Sequence, residues 1–163
     1  VIEEKKLAVV SVNFLDKELR SDYVFVSNLR RLQMLEKNQE FLKIPKISTS
    51  NISADLAEND FRVSFLRLIK CGWEHLDNSS LMLLRLLDLL EVKEVYIAGF
   101  DGYDYTGRGR LNYASESLEL SSVNENPTSL NQEIMEMLDD FKQNKKNSNI
   151  YFVTPSRFEK CFE

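Results

Sequence analysis

The chain has 163 residues, 43% of them hydrophobic and 29% charged, with a net charge of −5. Those figures describe one globular domain, 1–163, long enough to bury a core. The acidic balance argues against a general nucleic-acid binder, which normally presents a basic face.

Two cysteines, Cys71 and Cys161, make no disulfide framework, so a reducing, cytoplasmic setting is expected. The N-terminal stretch carries no small-residue cleavage site of a secretory signal. The longest apolar run, 81–90, is interrupted by Arg85 and Asp88 and falls short of the roughly 18–20 residues a membrane span requires. A chain that enters a strand near Leu7 reads as an excised piece of a larger protein.

In chain order, Leu7–Val12 is a β-rich run ending at Asn13, and Tyr23–Val26 is a second ending at Ser27 and Asn28. The stretch between them reads as a helical turn or a loop. Leu29, Leu32, Met34 and Leu35 give approximate helical spacing from Leu29 to about Glu40. Ile44–Ile47, spanning Pro45, is a short strand candidate followed by Ser48, Thr49, Ser50 and Asn51. Phe61–Phe65 alternates apolar and polar residues, as a strand with one wet face does.

Asp77, Asn78, Ser79 and Ser80 are all good N-cap types and open an apolar helix through Leu90. Its polar residues Ser80, Arg85, Asp88 and Glu91 share one arc with Leu84, so the helix is expected to be buried on more than one side. Glu94–Ala98 reads as a central parallel strand. The stretch from Tyr103 to about Asn124 reads as a long loop. A last helix opens at Asn126–Pro127, with Ser129 and Gln132 spaced as a capping box and Leu130, Ile134, Met137, Leu138 and Phe141 on its apolar face. Ile150–Val153 is the final strand, ending in Thr154 and Ser156. Strands alternating with helices predict an α/β, three-layer Rossmann-like fold: a mostly parallel sheet with helices on both faces.

In such a sheet the carboxyl ends of the strands lie on one edge, where ligands collect. Small polar residues end nearly every proposed strand: Asn13, Ser27, Asn28, Thr49, Ser50, Asn51, Asp101 and Gly102, with Tyr103 beyond. Their hydroxyls and amides suit phosphate, sugar or carboxylate oxygens without a cofactor. Asn78 and Ser79 add the start of a helix, where free N–H groups favour an anion. The same residue types also serve turns and caps. Asp101 is the best catalytic candidate, able to orient a hydroxyl, act as a base or help hold a metal. It can equally be the cap of a tight Gly–x–Asp–Gly turn. Arg108 and Arg110 could pair with phosphate. Cys71 and His75 make a conceivable two-ligand metal edge with nothing to complete it, so no metal site is assigned.

Several segments carry a family resemblance: Ser11–Phe14, Asp22–Asn28, Thr49–Ile52, Asp77–Ser79, Ala98–Tyr103 and Asn112–Tyr113. With these the chain resembles the C-terminal domain of bacterial aldolase-like proteins of the HMG-CoA lyase and 4-hydroxy-2-oxovalerate aldolase type. The resemblance implies a parent with an N-terminal TIM barrel that uses a divalent metal for aldol chemistry on keto acids. A chain with one histidine cannot supply that barrel's metal-binding histidines, so no cofactor is expected within these residues. A weaker likeness is to the sialyltransferase-like Rossmann fold, through the run from Ser79 to Asp101, and implies a nucleotide-sugar ligand. The expected partners are a small polar or anionic ligand and the barrel of the same chain, with no nucleic acid and no membrane. A homodimer is a further possibility. In a third reading the chain is an assembly module without ligand, its interface marked by an exposed Leu84.

Overall fold

Four short β-branched or aromatic runs build the first sheet: β1 (Val10–Val12), β2 (Tyr23–Val26), β3 (Lys46–Thr49) and β4 (Phe61–Val63). In the computed structural model, which describes residues 7–15, 18–75, 77–103 and 127–162, they pair in the order β1-β2-β3-β4. Every pairing is parallel, with Val12 beside Phe25, Phe25 beside Ile47 and Ile47 beside Phe61. Sequential parallel pairing sends successive crossovers over the same face of the sheet. Val24 and Val26 point to that face and are covered by Leu15, Leu32, Leu35, Phe41 and Ile52, which come from all three connections.

Between β2 and β3 lie two short helices, α1 (Leu29–Leu35) and α2 (Gln39–Lys43), where the spacing predicted one. The break has a local cause: Asn38 is extended, and its side-chain oxygen accepts the Glu40 N–H at 3.0 Å, starting a new helix. β3 begins two residues later than expected. Pro45 has no N–H to give a ladder, and its carbonyl serves only as acceptor for Val24 N. β4 stops at Val63 instead of continuing to Phe65. The Ser50 hydroxyl takes the Phe65 N–H at 3.0 Å, and the chain turns into the short helix α3 (Phe65–Leu68).

The chain divides into two compact units, 1–70 and 71–163. The second holds α4 (Ser79–Leu89), β5 (Glu94–Ile97), α5 (Pro127–Asn144), β6 (Asn149–Phe152) and a 3-10 turn at Glu159–Phe162. β5 and β6 are parallel, from Glu94 beside Asn149 to Ile97 beside Phe152. Among the described residues β5 has this one partner and is not a central strand, and only its Val95 is buried. The core joins Leu81 and Leu84 of α4, Val95, and Ile134, Met137, Leu138 and Phe141 of α5, closed by Phe158 and Cys161. The apolar stripe read for α5 is thus the one the fold buries. Pro127 is its first residue, where the missing N–H costs nothing. Ser129 lies inside the first turn, so the expected capping box is not formed, and Gln132 reaches forward to Glu136 at 3.3 Å.

α4 is buried on more than one side, as expected, but one expectation for it is overturned. Leu84 is 5% exposed, inside the core, and marks no interface; the exposed leucines are Leu89 and Leu90, at 59% and 64%. On the polar arc, Arg85 and Asp88 are buried, whereas Glu91 is exposed. Arg85 pairs with Asp77, and the Asp88 carboxylate accepts the N–H groups of Lys146, Asn147 and Ser148 at 3.0, 2.7 and 2.9 Å. Buried charges persist where such partners satisfy them. The fold is α/β and Rossmann-like, with every strand pairing among the described residues parallel. No helix among those residues is long and apolar enough to cross a membrane.

Candidate functional site

Parallel pairing places the carboxyl ends of β1, β2 and β3 on one edge of the first sheet. Asn13 continues the pairing with its N–H to Phe25 O at 3.0 Å. Its φ of 55° then turns the chain away, a conformation asparagine tolerates better than most residues. The Asn13 side-chain oxygen is buried and has no hydrogen-bond partner among the described residues.

The neighbouring polar residues are largely committed to local structure. The Asn28 oxygen accepts Arg30 N and Arg31 N at 2.9 and 3.3 Å, capping α1. Asn51 gives its amide hydrogen to the Ser27 carbonyl at 3.2 Å, tying the ends of β2 and β3 together. Ser50 holds the start of α3. Thr49 is fully enclosed, and its hydroxyl has no partner among the described residues. Leaving such a group unmade costs about 1–3 kcal/mol.

In the second unit, Asn78 caps α4 by accepting Ser80 N at 2.8 Å, and Ser79 is the first helical residue. Beyond β5, the segment Gly99–Tyr103 carries Asp101. Its backbone is fixed by side chains from far along the chain. The Thr154 hydroxyl accepts Gly99 N at 2.9 Å, and Ser156 donates to Phe100 O at 2.6 Å. Arg157 Nε donates to Asp101 O at 2.7 Å. Asn131 grips both backbone groups of Tyr103, accepting its N–H at 2.8 Å and donating to its carbonyl at 2.6 Å. Thr154 and Ser156, expected at a ligand edge, are spent on this turn.

Gly102 has φ 79° and no room for a side chain: a Cβ there would meet Asn131 Oδ1 at 2.4 Å and Phe158 Cζ at 2.8 Å. The turn therefore rests directly on α5 and the C-terminal tail. Asp101 is half-buried, and its carboxylate has no hydrogen-bond or ion-pair partner among the described residues. A fixed backbone with an unengaged acid can accept hydrogen bonds from a ligand without prior rearrangement.

Asn131 was missed by sequence reading, although a signal existed. It lies three and seven residues before Ile134 and Leu138, on the apolar stripe of α5, and is only 7% exposed. A polar residue on an apolar stripe is buried with a hydrogen-bonding task. The same reasoning fits Asp88. Burial pushes its carboxyl up, but the N–H groups of Asn147, Lys146 and Ser148 outweigh that and hold it below the ordinary carboxylate value of 3.8.

The imagined Cys71–His75 metal edge does not form. His75 gives its backbone N–H to one Glu133 oxygen at 2.9 Å and places Nδ1 2.7 Å from the other, while Cys71 is exposed. Among the described residues no group of three His, Cys, Asp or Glu could hold a metal ion. Arg108, Arg110 and the loop expected from Asp104 onward lie outside the described residues. Comparison of the chain with known family models, with curated proteins and with solved structures gave no match.

Proposed function

We propose that this chain is the C-terminal accessory domain of an aldolase-like metalloenzyme, binding a small polar or anionic ligand at the carboxyl end of its parallel strands. The family part of this reading rests on the resemblance of the strand-end segments. The ligand part rests on one observation: Thr154, Ser156, Arg157 and Asn131 fix the Gly99–Tyr103 backbone while the Asp101 carboxylate stays unengaged among the described residues. Asp101 then accepts a hydroxyl or amine hydrogen of the ligand, since a carboxylate offers acceptors only. Metal and aldol chemistry belong, in this reading, to the barrel of a cytoplasmic parent.

A thermal-shift panel of keto acids, nucleotides and sugar nucleotides tests the ligand. A true ligand at one hundred times its dissociation constant stabilises the fold by about 2.7 kcal/mol. A keto acid that raises the melting temperature supports the aldolase-linked reading. A response to sugar nucleotides alone replaces it with the transferase-like one, and no response to any member removes the ligand.

A further inference from the structure

We infer that the outer edge of β6 is a docking groove for a short, extended, acidic peptide segment, which adds to the sheet as a third strand. The backbone supports this first. Asn149 N donates to Lys93 O at 2.8 Å and Val153 N to Ile97 O at 2.9 Å. Backbone direction alternates along a strand, so Asn149, Tyr151 and Val153 face β5, and Ile150 turns its N–H and C=O to the other side. Among the described residues neither of those two groups has a hydrogen-bond partner. An edge with unpaired backbone groups is a template for another strand.

The surroundings select the kind of strand. Ile150 lines an open groove of about 460 Å³ together with Lys142, Lys145, Asn149, Tyr151 and Phe162. Among the described residues two ammonium groups and no carboxylate line it, on a chain whose net charge is −5. Lys145 Nζ donates to the Ser148 carbonyl at 2.8 Å, which holds one of the charges beside the strand. Tyr151 is 42% exposed and offers a ring to an apolar side chain. The edge of a second copy would bring the same two lysines against these, and like charges at close range resist that pairing. An extended segment with acidic residues at alternate positions meets the backbone, the ring and both ammonium groups at once.

The test is a titration of the full 163-residue chain with a blocked hexapeptide of alternating valine and glutamate, followed by amide resonances and hydrogen exchange. The same peptide with lysine in place of glutamate is the control. The glutamate peptide is expected to shift the amides of Asn149, Ile150 and Tyr151 and to slow exchange at Ile150, and the lysine peptide to do neither. Lys142→Glu, at an exposed position, should weaken binding by about tenfold, and added salt should weaken it in the same direction. Equal responses to both peptides, changes confined to other residues, no response, or a dimer formed through β6 would each overturn the inference.

Discussion

The two units close their polar groups over different distances along the chain. In the first, polar side chains at the strand ends bond close to home in sequence: Asn28 reaches two and three residues ahead, Ser50 fifteen, Asn51 twenty-four. In the second, the turn at Asp101 is held by Asn131, Thr154, Ser156 and Arg157, between 28 and 56 residues away, and the Asp88 clamp spans 58 to 60. A cap such as Asn28 stabilises its own element, whereas the Asn51 tie between β2 and β3 and, over longer distances, the Asp101 and Asp88 contacts fix one element against another. The difference teaches where a preorganised site is expected. A cap loses little when its neighbours shift, but a turn pinned from several distant points holds one geometry.

The largest way to break this contrast is at Asp88. Asp88→Ala leaves three backbone N–H groups without an acceptor and should cost about 3–5 kcal/mol, read from denaturant unfolding. The pH dependence has a definite sign. Because the folded carboxyl lies below its unfolded value of 3.8, its contribution is present above that value and is lost as pH falls through the folded one. Asp88→Asn should therefore flatten the acid limb of the stability curve. An unchanged limb would mean that the clamp does not carry it.

Next in size is Gly102→Ala. A Cβ meeting Asn131 Oδ1 at 2.4 Å, at φ 79°, should cost about 2–4 kcal/mol and loosen the Asp101 turn. Faster hydrogen exchange at Tyr103, whose N–H is gripped by Asn131, would report that loosening. Exchange as slow as in the parent would show that the turn is not held by that contact. Asn28→Ala is the local counterpart and should cost about 1 kcal/mol, with faster exchange confined to the first turn of α1. A loss as large as that at Gly102 would erase the contrast.

Thr49→Val sharpens the first unit. Its enclosed hydroxyl lacks a partner among the described residues, so the isosteric apolar side chain should raise stability by about 1 kcal/mol. A destabilised variant would reveal that the hydroxyl is satisfied in solution and that the expected ligand role of Thr49 has a structural replacement.

Legibility in the sequence followed the same division. The parallel α/β class, the apolar stripe of α5 and a helix start within Asp77–Ser80 were readable because each rests on periodicity or on neighbours within four residues. The inward turn of Arg85 and Asp88 was not, because the partner groups of Asp88 lie around Asn147, beyond another helix. Leu84 was misread because residue type along α4 did not show that it and its neighbours Arg85 and Asp88 are buried together. At the strand ends, residue type alone could not separate Asn28, which caps a helix, from Asn13, whose side-chain oxygen has no partner among the described residues. The pinning of Asp101 was invisible because Thr154, Ser156 and Asn131 become its neighbours only after the chain has folded back.

The central claim, that the acid at the end of β5 meets a ligand, is tested most directly by calorimetric titration of Asp101→Asn with whichever compound stabilises the parent chain. Asp101 makes no hydrogen bond or ion pair through its carboxylate among the described residues, so the unliganded variant should be within about 0.5 kcal/mol of the parent in stability. Its affinity should fall by at least about tenfold, equivalent to about 1.4 kcal/mol. An affinity equal to the parent's would contradict the account and leave the carboxylate as an ordinary surface acid.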